Sequence, residues 1–255
     1  MKTVLITGAS SGIGHEFAKI FAHQGCNLVL VARSTEKLEK IANNYERDHD
    51  IKVTIFSFDL SQPNIANKLY SEIRNRKICI DILINNAGIG DYGSFVDGKL
   101  SKIGNMVSLN IATLTEMTLL FVKDMHTRNS GKVLNIASTA AFQPVPKFAV
   151  YAATKSYVLN FTEALHHELK GTGVSVSVLC PGPTATGFEK SANMKDSKLF
   201  KSGVMDAKIV AEAGCKGLMN NKMTIIPGFK NRLMAFLSSM TPSRNLLVWI
   251  SGKIS

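Results

Sequence analysis

The chain has 255 residues, of which 45% are hydrophobic and 19% are charged, so it can bury a sizeable core and is not disordered as a whole. Its 30 Lys and Arg against 19 Asp and Glu give a formal net charge of +11. A basic surface suits nucleic acid, a membrane or an anionic ligand, and composition alone does not choose among these partners.

Short apolar runs alternate along the chain with longer segments of helical period. The predicted strands are residues 4–7, 28–31, 53–58, 82–84, 133–136, 174–179 and 223–226, and the predicted helices are about 12–24, 35–47, 62–76, 101–128, 149–170 and 206–220. Strands that are apolar throughout and alternate with helices indicate a parallel sheet covered on both faces. We therefore predict a doubly wound, seven-stranded α/β sheet in a single domain.

A glycine-rich segment joins the first predicted strand to the first helix. Close approach of backbone to a dinucleotide pyrophosphate needs glycine, and the helix N-terminal amides then receive the phosphate charge. The alternative is a tight turn with no ligand. The position of the segment between strand and helix favours a binding loop made of Gly8, Ser10, Ser11, Gly12, Ile13 and Gly14.

Arg33 follows the second predicted strand, where an NAD site would usually carry a carboxylate for the ribose 2′-hydroxyl. A guanidinium suits a 2′-phosphate instead, so NADP(H) is favoured over NAD(H). The alternative is an ordinary exposed arginine that opens the next helix.

Two further segments follow strands three and four. Asp59, with Leu60, is predicted to accept a hydrogen bond from an adenine amino group or to act only as a cap, and Ser61 is predicted as the N-cap of the third helix. Asn86, Ala87 and Gly88 are small enough to let the backbone come near a cofactor, although a tight turn would have the same composition.

Tyr151 and Lys155 are four residues apart on a predicted helix and therefore share one face. A phenol is a poor base at neutral pH, but an ammonium at ~4 Å and an effective dielectric of ~20 contributes about 4 kcal/mol, or roughly 3 units of its pKa before desolvation. Ser138 follows the fifth strand and is placed to donate to the same substrate oxygen. The alternative is a packed tyrosine with a solvated lysine one turn away.

These motifs, in this order, resemble the short-chain dehydrogenase/reductase family, whose TGxxxGxG pattern has the spacing of Gly8, Gly12 and Gly14. The resemblance runs from residue 3 to about 226 and implies a Rossmann fold, with dimers or tetramers usual. It implies that Tyr151 is the catalytic acid/base, that Lys155 lowers its pKa and holds the nicotinamide ribose, and that Ser138 polarises the carbonyl. It further implies a catalytic role for Asn110 in holding a proton-relay water, and a nicotinamide-binding segment containing Pro181, Gly182, Thr184 and Thr186.

The substrate end of the molecule carries most of the charge excess, because residues 190–255 hold 11 basic and 3 acidic side chains. The resemblance implies a lid over about 185–205, which contains Phe188, Met194, Leu199, Phe200 and Met205. One pocket wall is expected from Phe142, Gln143 and Pro144. These residues predict an apolar pocket.

The last residues, 229–255, form a basic and apolar extension beyond the catalytic unit of residues 1–228. It is predicted as a cap over the pocket, a subunit interface or an interfacial helix on anionic lipid, and Pro242 is expected to divide it into two short pieces.

Other sites and compartments are disfavoured by the sequence. His166, His167 and Glu168 are adjacent rather than one turn apart, so no metal site is predicted. Basic residues are not interleaved with aromatic ones, which argues against a nucleic-acid partner. Four scattered cysteines, no signal-peptide pattern and no run of 18 apolar residues predict a cytoplasmic-type protein with reduced thiols, with peripheral membrane contact left open at 229–255.

The sequence thus predicts an NADP(H)-dependent oxidoreductase that acts on a hydrophobic carbonyl compound or secondary alcohol, such as a steroid-, fatty-acyl- or ketone-like molecule. The expected partners are the small substrate and copies of the chain itself, with peripheral membrane contact left open at residues 229–255. The alternative hypothesis is a dinucleotide-binding regulatory or scaffold protein without turnover.

Overall fold

The computed structural model describes residues 1–194 and 203–254 and contains a seven-stranded parallel sheet between helices. The strands are β1 (Thr3–Thr7), β2 (Asn27–Ala32), β3 (Val53–Ser57), β4 (Ile82–Asn85), β5 (Gly131–Ile136), β6 (Val174–Leu179), β7 (Thr184–Ala185), β8 (Met205–Asp206) and β9 (Thr224–Ile225). The sheet order is β3, β2, β1, β4, β5, β6, β9, while β7 and β8 pair separately. This order reverses direction between β1 and β4, which confirms the doubly wound Rossmann fold.

The helices cover both faces of the sheet. They are α1 (Gly12–His23), α2 (Thr35–Asp48), α3 (Ile65–Asn75), α4 (Leu100–Val107), α5 (Leu114–Thr127), α6 (Ala149–Glu168), α7 (Phe188–Ser191), α8 (Ala207–Met219), α9 (Phe229–Met240) and α10 (Arg244–Ile254). Helices α1, α2 and α8 pack on one face and α3, α5 and α6 on the other. Along β1, Val4 and Ile6 join the first core and Leu5 joins the second, because successive strand side chains point to opposite faces.

The predicted helix over 101–128 is interrupted by one π-helical segment, Ser108–Thr113, between α4 and α5. Such segments are rare and occur often at functional sites, and this one carries Asn110. The whole span Leu100–Thr127 is long and apolar enough to cross a membrane by length and composition, but half of its most apolar window is buried in the fold. That burial is what a core helix beside the sheet requires.

Ser61 is not the N-cap that the sequence predicts. Helix α3 begins four residues later, and its N-cap is Asn64, which has a left-handed backbone conformation. The Ser61 amide and hydroxyl both donate to Asp59 Oδ1, at 3.0 and 2.8 Å. The aspartate therefore closes a local turn that delays the helix.

In the region of the predicted lid, the structure describes residues up to 194 and again from 203. The predicted lid begins with β7 and α7 and ends at β8, whereas Leu199 and Phe200 lie outside the described residues. The extension forms two helices, α9 and α10, on either side of Pro242, so the predicted division is confirmed.

Candidate active site

The glycine segment turns sharply from β1 into α1. A Cβ on Gly14 would lie 2.3 Å from the carbonyl oxygen of Gly8, so only glycine allows this packing. Ser11 is the N-cap of α1, yet its side chain makes no cap hydrogen bond. The helix therefore offers backbone amides to an external anion, as a dinucleotide pyrophosphate would require. Ser10 and Ile13, on either side of this N-terminus, are half-buried.

The segment after β6 lies directly against the glycine loop. Gly12 has φ +55°, and a Cβ there would lie 2.7 Å from Cβ of Thr186. The Thr186 hydroxyl accepts from the Phe188 amide at 3.2 Å, and the Thr184 hydroxyl donates to Gly182 O at 2.8 Å. The carbonyl of the preceding Pro181 accepts from the Thr139 amide at 2.9 Å. Two segments predicted separately as cofactor contacts are thus brought together.

Asn86 joins the ends of β1 and β4. Its Nδ2 donates to Thr7 O at 2.9 Å and to Gly8 O at 3.3 Å. In return, the Thr7 hydroxyl accepts from the amides of Asn86 and Ala87 at 3.0 and 2.9 Å. Thr7 was not singled out from the sequence, although its place at the last position of β1 was a usable signal. The cross-links hold the Asn86–Gly88 turn beside the glycine loop.

Arg33 and Asp59 follow neighbouring strands, β2 and β3. Arg33 is exposed, and its carbonyl accepts from the Ser57 hydroxyl at 3.0 Å. The pKa of Asp59 is lowered chiefly by the hydrogen bond from the Ser61 amide, and the positive charge of Arg33 adds to the effect. Leu60 is buried, and its carbonyl accepts from the Thr113 hydroxyl at 2.8 Å. Asp59 therefore closes a local turn through its Oδ1, and the Arg33 side chain is exposed.

Tyr151 and Lys155 lie on one face of α6, at the carboxyl end of β5. The Lys155 ammonium donates to Ile136 O at 2.8 Å and lies 5.7 Å from the centre of the Tyr151 ring. Ser138, just beyond β5, accepts from the Ala140 amide at 3.1 Å, and its side chain lies near enough to Tyr151 to lower the pKa of the phenol. Three of the four predicted catalytic side chains thus gather where ligands bind in such sheets.

Burial controls the acidity of both groups in this structure. It raises the pKa of Tyr151 to about 12, against the opposing effect of the Ser138 hydrogen bond. It also lowers the pKa of Lys155 to about 8, since desolvation disfavours the charged form. The ammonium points to the Ile136 carbonyl rather than to the phenol oxygen. It therefore lowers the pKa of Tyr151 less in this structure than the sequence spacing predicts.

Asn110 is fully buried, and its side-chain amide is completely used. Its Oδ1 accepts from Ile89 N at 3.0 Å, while Nδ2 donates to Ile89 O at 2.9 Å and to the Thr154 hydroxyl at 3.1 Å. A Cβ on Gly88 would lie 3.3 Å from Lys155 Nζ and 3.4 Å from Asn110 Oδ1. Asn110 therefore belongs to the same cluster as Lys155, and Thr154 is a member that the sequence did not indicate.

Aromatic rings surround Tyr151. Phe148 stacks on its ring with centres 4.2 Å apart, and Phe188 lies at 5.5 Å. Both rings come so close to Gly90 that a Cβ there would lie 2.8 Å from each. Met194 is also buried in this apolar cluster. Phe148 was missed, although it stands three residues before Tyr151, a spacing that shares a helix face.

The expected wall of Phe142 and Gln143 lies elsewhere. Phe142 packs in a separate cluster with Leu114 and Val158, and Gln143 accepts from the Ser238 hydroxyl of α9 at 3.0 Å. Met205, expected in the lid, packs against the core of the α1 face. The apolar surroundings of the tyrosine therefore come from Val145, Phe148, Phe188 and Met194 rather than from Phe142 and Gln143.

Comparisons with known proteins identify the family of the chain. The sequence model of a protein family described as short chain dehydrogenase matches residues 2–197. The chain is 34% identical over 226 residues to the ketoacyl reductase HetN of Nostoc sp.. The aligned region covers 88% of this chain and 78% of that protein. It is 35% identical over 246 residues to 17-beta-hydroxysteroid dehydrogenase type 3 of Mus musculus, with 95% and 80% covered.

A solved structure has the same fold over nearly the whole chain. A short-chain dehydrogenase from Sphingobium yanoikuyae in complex with NADPH superimposes with a TM-score of 0.84 and 29% identity, covering 95% of this chain and 98% of that one.

Proposed function

The chain belongs to the short-chain dehydrogenase/reductase family of oxidoreductases, and we propose that it transfers a hydride between NADP(H) and a carbonyl or secondary alcohol on a hydrophobic substrate. The observation that carries this proposal is the cluster of Ser138, Tyr151, Lys155 and Asn110 beside the glycine loop. We assign residues 1–228 to the catalytic unit, with a lid at about 185–205, and residues 229–255 to an appended extension.

The residues present fit a nicotinamide dinucleotide. The uncapped amides of α1, with Gly8, Ser10, Ser11, Gly12, Ile13 and Gly14, would hold the pyrophosphate. Asp59, Leu60, Asn86, Ala87 and Gly88 would line the adenosine and ribose side, while Pro181, Gly182, Thr184 and Thr186 would hold the nicotinamide. When bound, the cofactor supplies or accepts the hydride.

The chain's own side chains would manage the proton and the substrate oxygen. Tyr151 would donate its proton to the developing alkoxide, and Ser138 would donate a hydrogen bond to the same oxygen. Lys155 would stabilise the tyrosinate and bind the nicotinamide ribose. Asn110 would hold the water through which the tyrosinate regains its proton. A buried phenol with a raised pKa keeps its proton until a strong base forms beside it, which suits a proton donor in carbonyl reduction.

Arg33 supports NADP(H) over NAD(H). It is exposed just beyond β2 and forms no ion pair within the described residues, although its charge helps to lower the pKa of the nearby Asp59. A free guanidinium at this position can bind a 2′-phosphate in a bidentate manner. The NADPH complex of the Sphingobium enzyme is consistent with this preference.

The aromatic surroundings of Tyr151 support a hydrophobic substrate. Phe148, Phe188 and Met194 present apolar surface around the reacting hydroxyl. Two relatives are named as a ketoacyl reductase and a 17-beta-hydroxysteroid dehydrogenase, and acyl chains and steroids are both largely hydrocarbon. We therefore propose a keto group on a steroid-like or acyl-chain substrate.

We further propose a homodimer or homotetramer in a reducing, cytoplasmic-type compartment. Leu119 of α5 and Tyr157 of α6 are 53% and 37% exposed and form apolar surface that subunit contact would cover. Cys26, Cys79, Cys180 and Cys215 are free thiols, as a reducing compartment favours.

The proposal is tested by measuring turnover on a panel of aliphatic, aromatic and steroid ketones. The loss of NADPH absorbance reports the reaction. Replacing Tyr151 by Phe should lower kcat about 10²–10⁴-fold while NADPH still binds, because the ring stays and only the proton donor is lost. NADPH binding without turnover on any ketone would instead favour a dinucleotide-binding regulatory protein.

A further inference from the structure

Helix α9, the first helix of the C-terminal extension, carries its larger apolar side chains on the face that is exposed to solvent. Phe229, Leu233, Phe236, Leu237 and Met240 are 46–72% exposed. Its inward face holds the smaller Ala235 and Ser238, which are buried. At 100° per residue, the five exposed residues fall within about 100° of the helix circumference. A surface helix of a globular protein ordinarily has the opposite arrangement, so this stripe has a role outside the fold.

Helix α10 also carries exposed apolar side chains. Leu246, Trp249 and Ile250 are exposed at 46%, 59% and 39%, whereas Leu247 is buried. The Lys253 ammonium lies 3.7 Å from the centre of the Trp249 ring. The exposed apolar residues of α9 together with these three residues of α10 are called the C-terminal surface.

Positive side chains border the apolar stripe of α9, and the chain segment that forms the C-terminal surface contains no acidic side chain. Lys230 and Arg232 are exposed and flank the apolar stripe of α9 on either side, as the helical positions require. Residues 213–255 contain six Lys or Arg and no Asp or Glu. Long basic side chains beside an apolar stripe can reach phosphate groups while the stripe enters the acyl boundary.

We propose that the C-terminal surface docks on an anionic lipid bilayer, with α9 and α10 lying in the plane of its interface. Charge complementarity selects this occupant over a second copy of the chain, because a two-fold contact would bring like charges of both copies together. Trp249 with Lys253 suits the headgroup level, where an aromatic ring has one apolar and one wet side.

The helices that carry the C-terminal surface contact segments that border the candidate active site. On the inward side of α9, Asn231 packs on Gly182, and Ser238 donates to Gln143 at 3.0 Å. On α10, Gly252 lies beside Pro146. Docking would therefore bring the segments that follow Ser138 and Pro181 close to the bilayer, where hydrophobic compounds partition. This consequence rests on the proposed function, whereas docking itself does not.

Vesicle co-sedimentation of the full chain tests docking without using activity. Wild type should bind vesicles of phosphatidylcholine mixed with phosphatidylserine, and bind phosphatidylcholine alone at least about tenfold more weakly. Phe236→Ser with Leu237→Ser should lower binding at least about tenfold, because both side chains are exposed and enter the lipid. Lys230→Glu with Arg232→Glu should lower binding to anionic vesicles about 100-fold or more, because reversing two charges changes the net charge by four and each unit of charge accounts for about fivefold.

Matched controls separate this surface from general effects. Ile209→Ser removes a side chain that is 54% exposed on α8, and Lys19→Glu with Lys40→Glu reverses two exposed charges on α1 and α2. Both should bind vesicles nearly as wild type does, and all variants should keep the wild-type Tm. No binding of wild type to anionic vesicles would overturn the proposal. So would unchanged binding of both surface variants, or a change of oligomeric state in place of a change in lipid binding.

Discussion

Asn110 and Thr154 share a buried hydrogen bond of 3.1 Å that connects the π-helical segment to α6. The Thr154 hydroxyl in turn donates a hydrogen bond to the backbone carbonyl oxygen of Tyr151 at 2.8 Å, three residues before it in the helix. Asn110 also holds both polar backbone atoms of Ile89. Three elements that converge on the tyrosine are thus fixed by one amide and one hydroxyl.

Thr154→Val should therefore impair the positioning of the site. The variant keeps the shape of the side chain but leaves Asn110 Nδ2 with one acceptor fewer in a buried place, at a cost of about 1–3 kcal/mol. We expect a lower Tm and a kcat about tenfold lower, with little change in the Kd of NADPH.

Thr154→Ser is the matched control, because it restores the hydroxyl without the methyl group. It should recover most of the lost kcat. Equal kcat values for wild type and Thr154→Val would show that the hydrogen bond has no part in positioning the site.

Gly14→Ala should damage dinucleotide binding. Its Cβ would lie 2.3 Å from Gly8 O, so the glycine loop must move away from α1. The Kd of NADPH, measured by fluorescence titration, should rise at least about tenfold, and the protein should lose about 1–3 kcal/mol of stability from overpacking.

Gly104→Ala provides the comparison. Gly104 lies in α4, has no atom within 4 Å of its would-be Cβ and has an ordinary helical backbone. This substitution should raise stability by about 0.5–1 kcal/mol and leave the Kd unchanged. Similar cofactor affinities for the two variants would contradict the assigned role of the loop.

Arg33→Glu should reverse the preference between the two cofactors. A carboxylate repels a 2′-phosphate and accepts from a 2′-hydroxyl, so kcat/KM should fall about 100-fold with NADPH and fall little or rise with NADH. Parallel kinetics with both cofactors measure the ratio. An equal loss with both would mean that Arg33 does not contact the 2′-position.

The fold was predictable because burial on both faces of a parallel sheet leaves a simple trace in sequence. Val4, Leu5 and Ile6 enter two different cores, which forces an apolar residue at every position of the strand. The glycine loop was readable for a similar reason, because the 2.3 Å approach at Gly14 excludes every other residue.

Features that depend on long-range register could not be predicted in this way. Asn85 donates to Asn135 at 2.9 Å and to the Thr118 hydroxyl at 3.0 Å, and Asn135 donates to the Thr162 hydroxyl at 3.0 Å. This buried polar chain exists because β4 and β5 pair Asn85 with Asn135, a relation that neither segment shows by itself. The π-helical turn at Asn110 likewise has no compositional signature.

Lys155→Met should change how stability depends on pH as well as abolish turnover. The pKa of Lys155 falls from its ordinary value of 10.5 to about 8 in the folded protein, because burial penalises the charge. Between these two pH values the unfolded chain holds a proton that the folded protein has lost, so this lysine makes stability rise with pH in that window. Methionine has no titratable group, so Lys155→Met lacks this rise of stability with pH.

The free energy of unfolding of wild type, relative to Lys155→Met, should therefore increase by about 2 kcal/mol from pH 8 to pH 10. Urea unfolding at a series of pH values measures it, and Lys19→Met, at an exposed position of α1, is the control that should run parallel to wild type. Tyr151, with a pKa raised to about 12, keeps its proton in the folded state over this range. Parallel curves for wild type and Lys155→Met would mean that the lysine is not titrating inside the fold, and its assignment as the buried partner of Tyr151 would then fail.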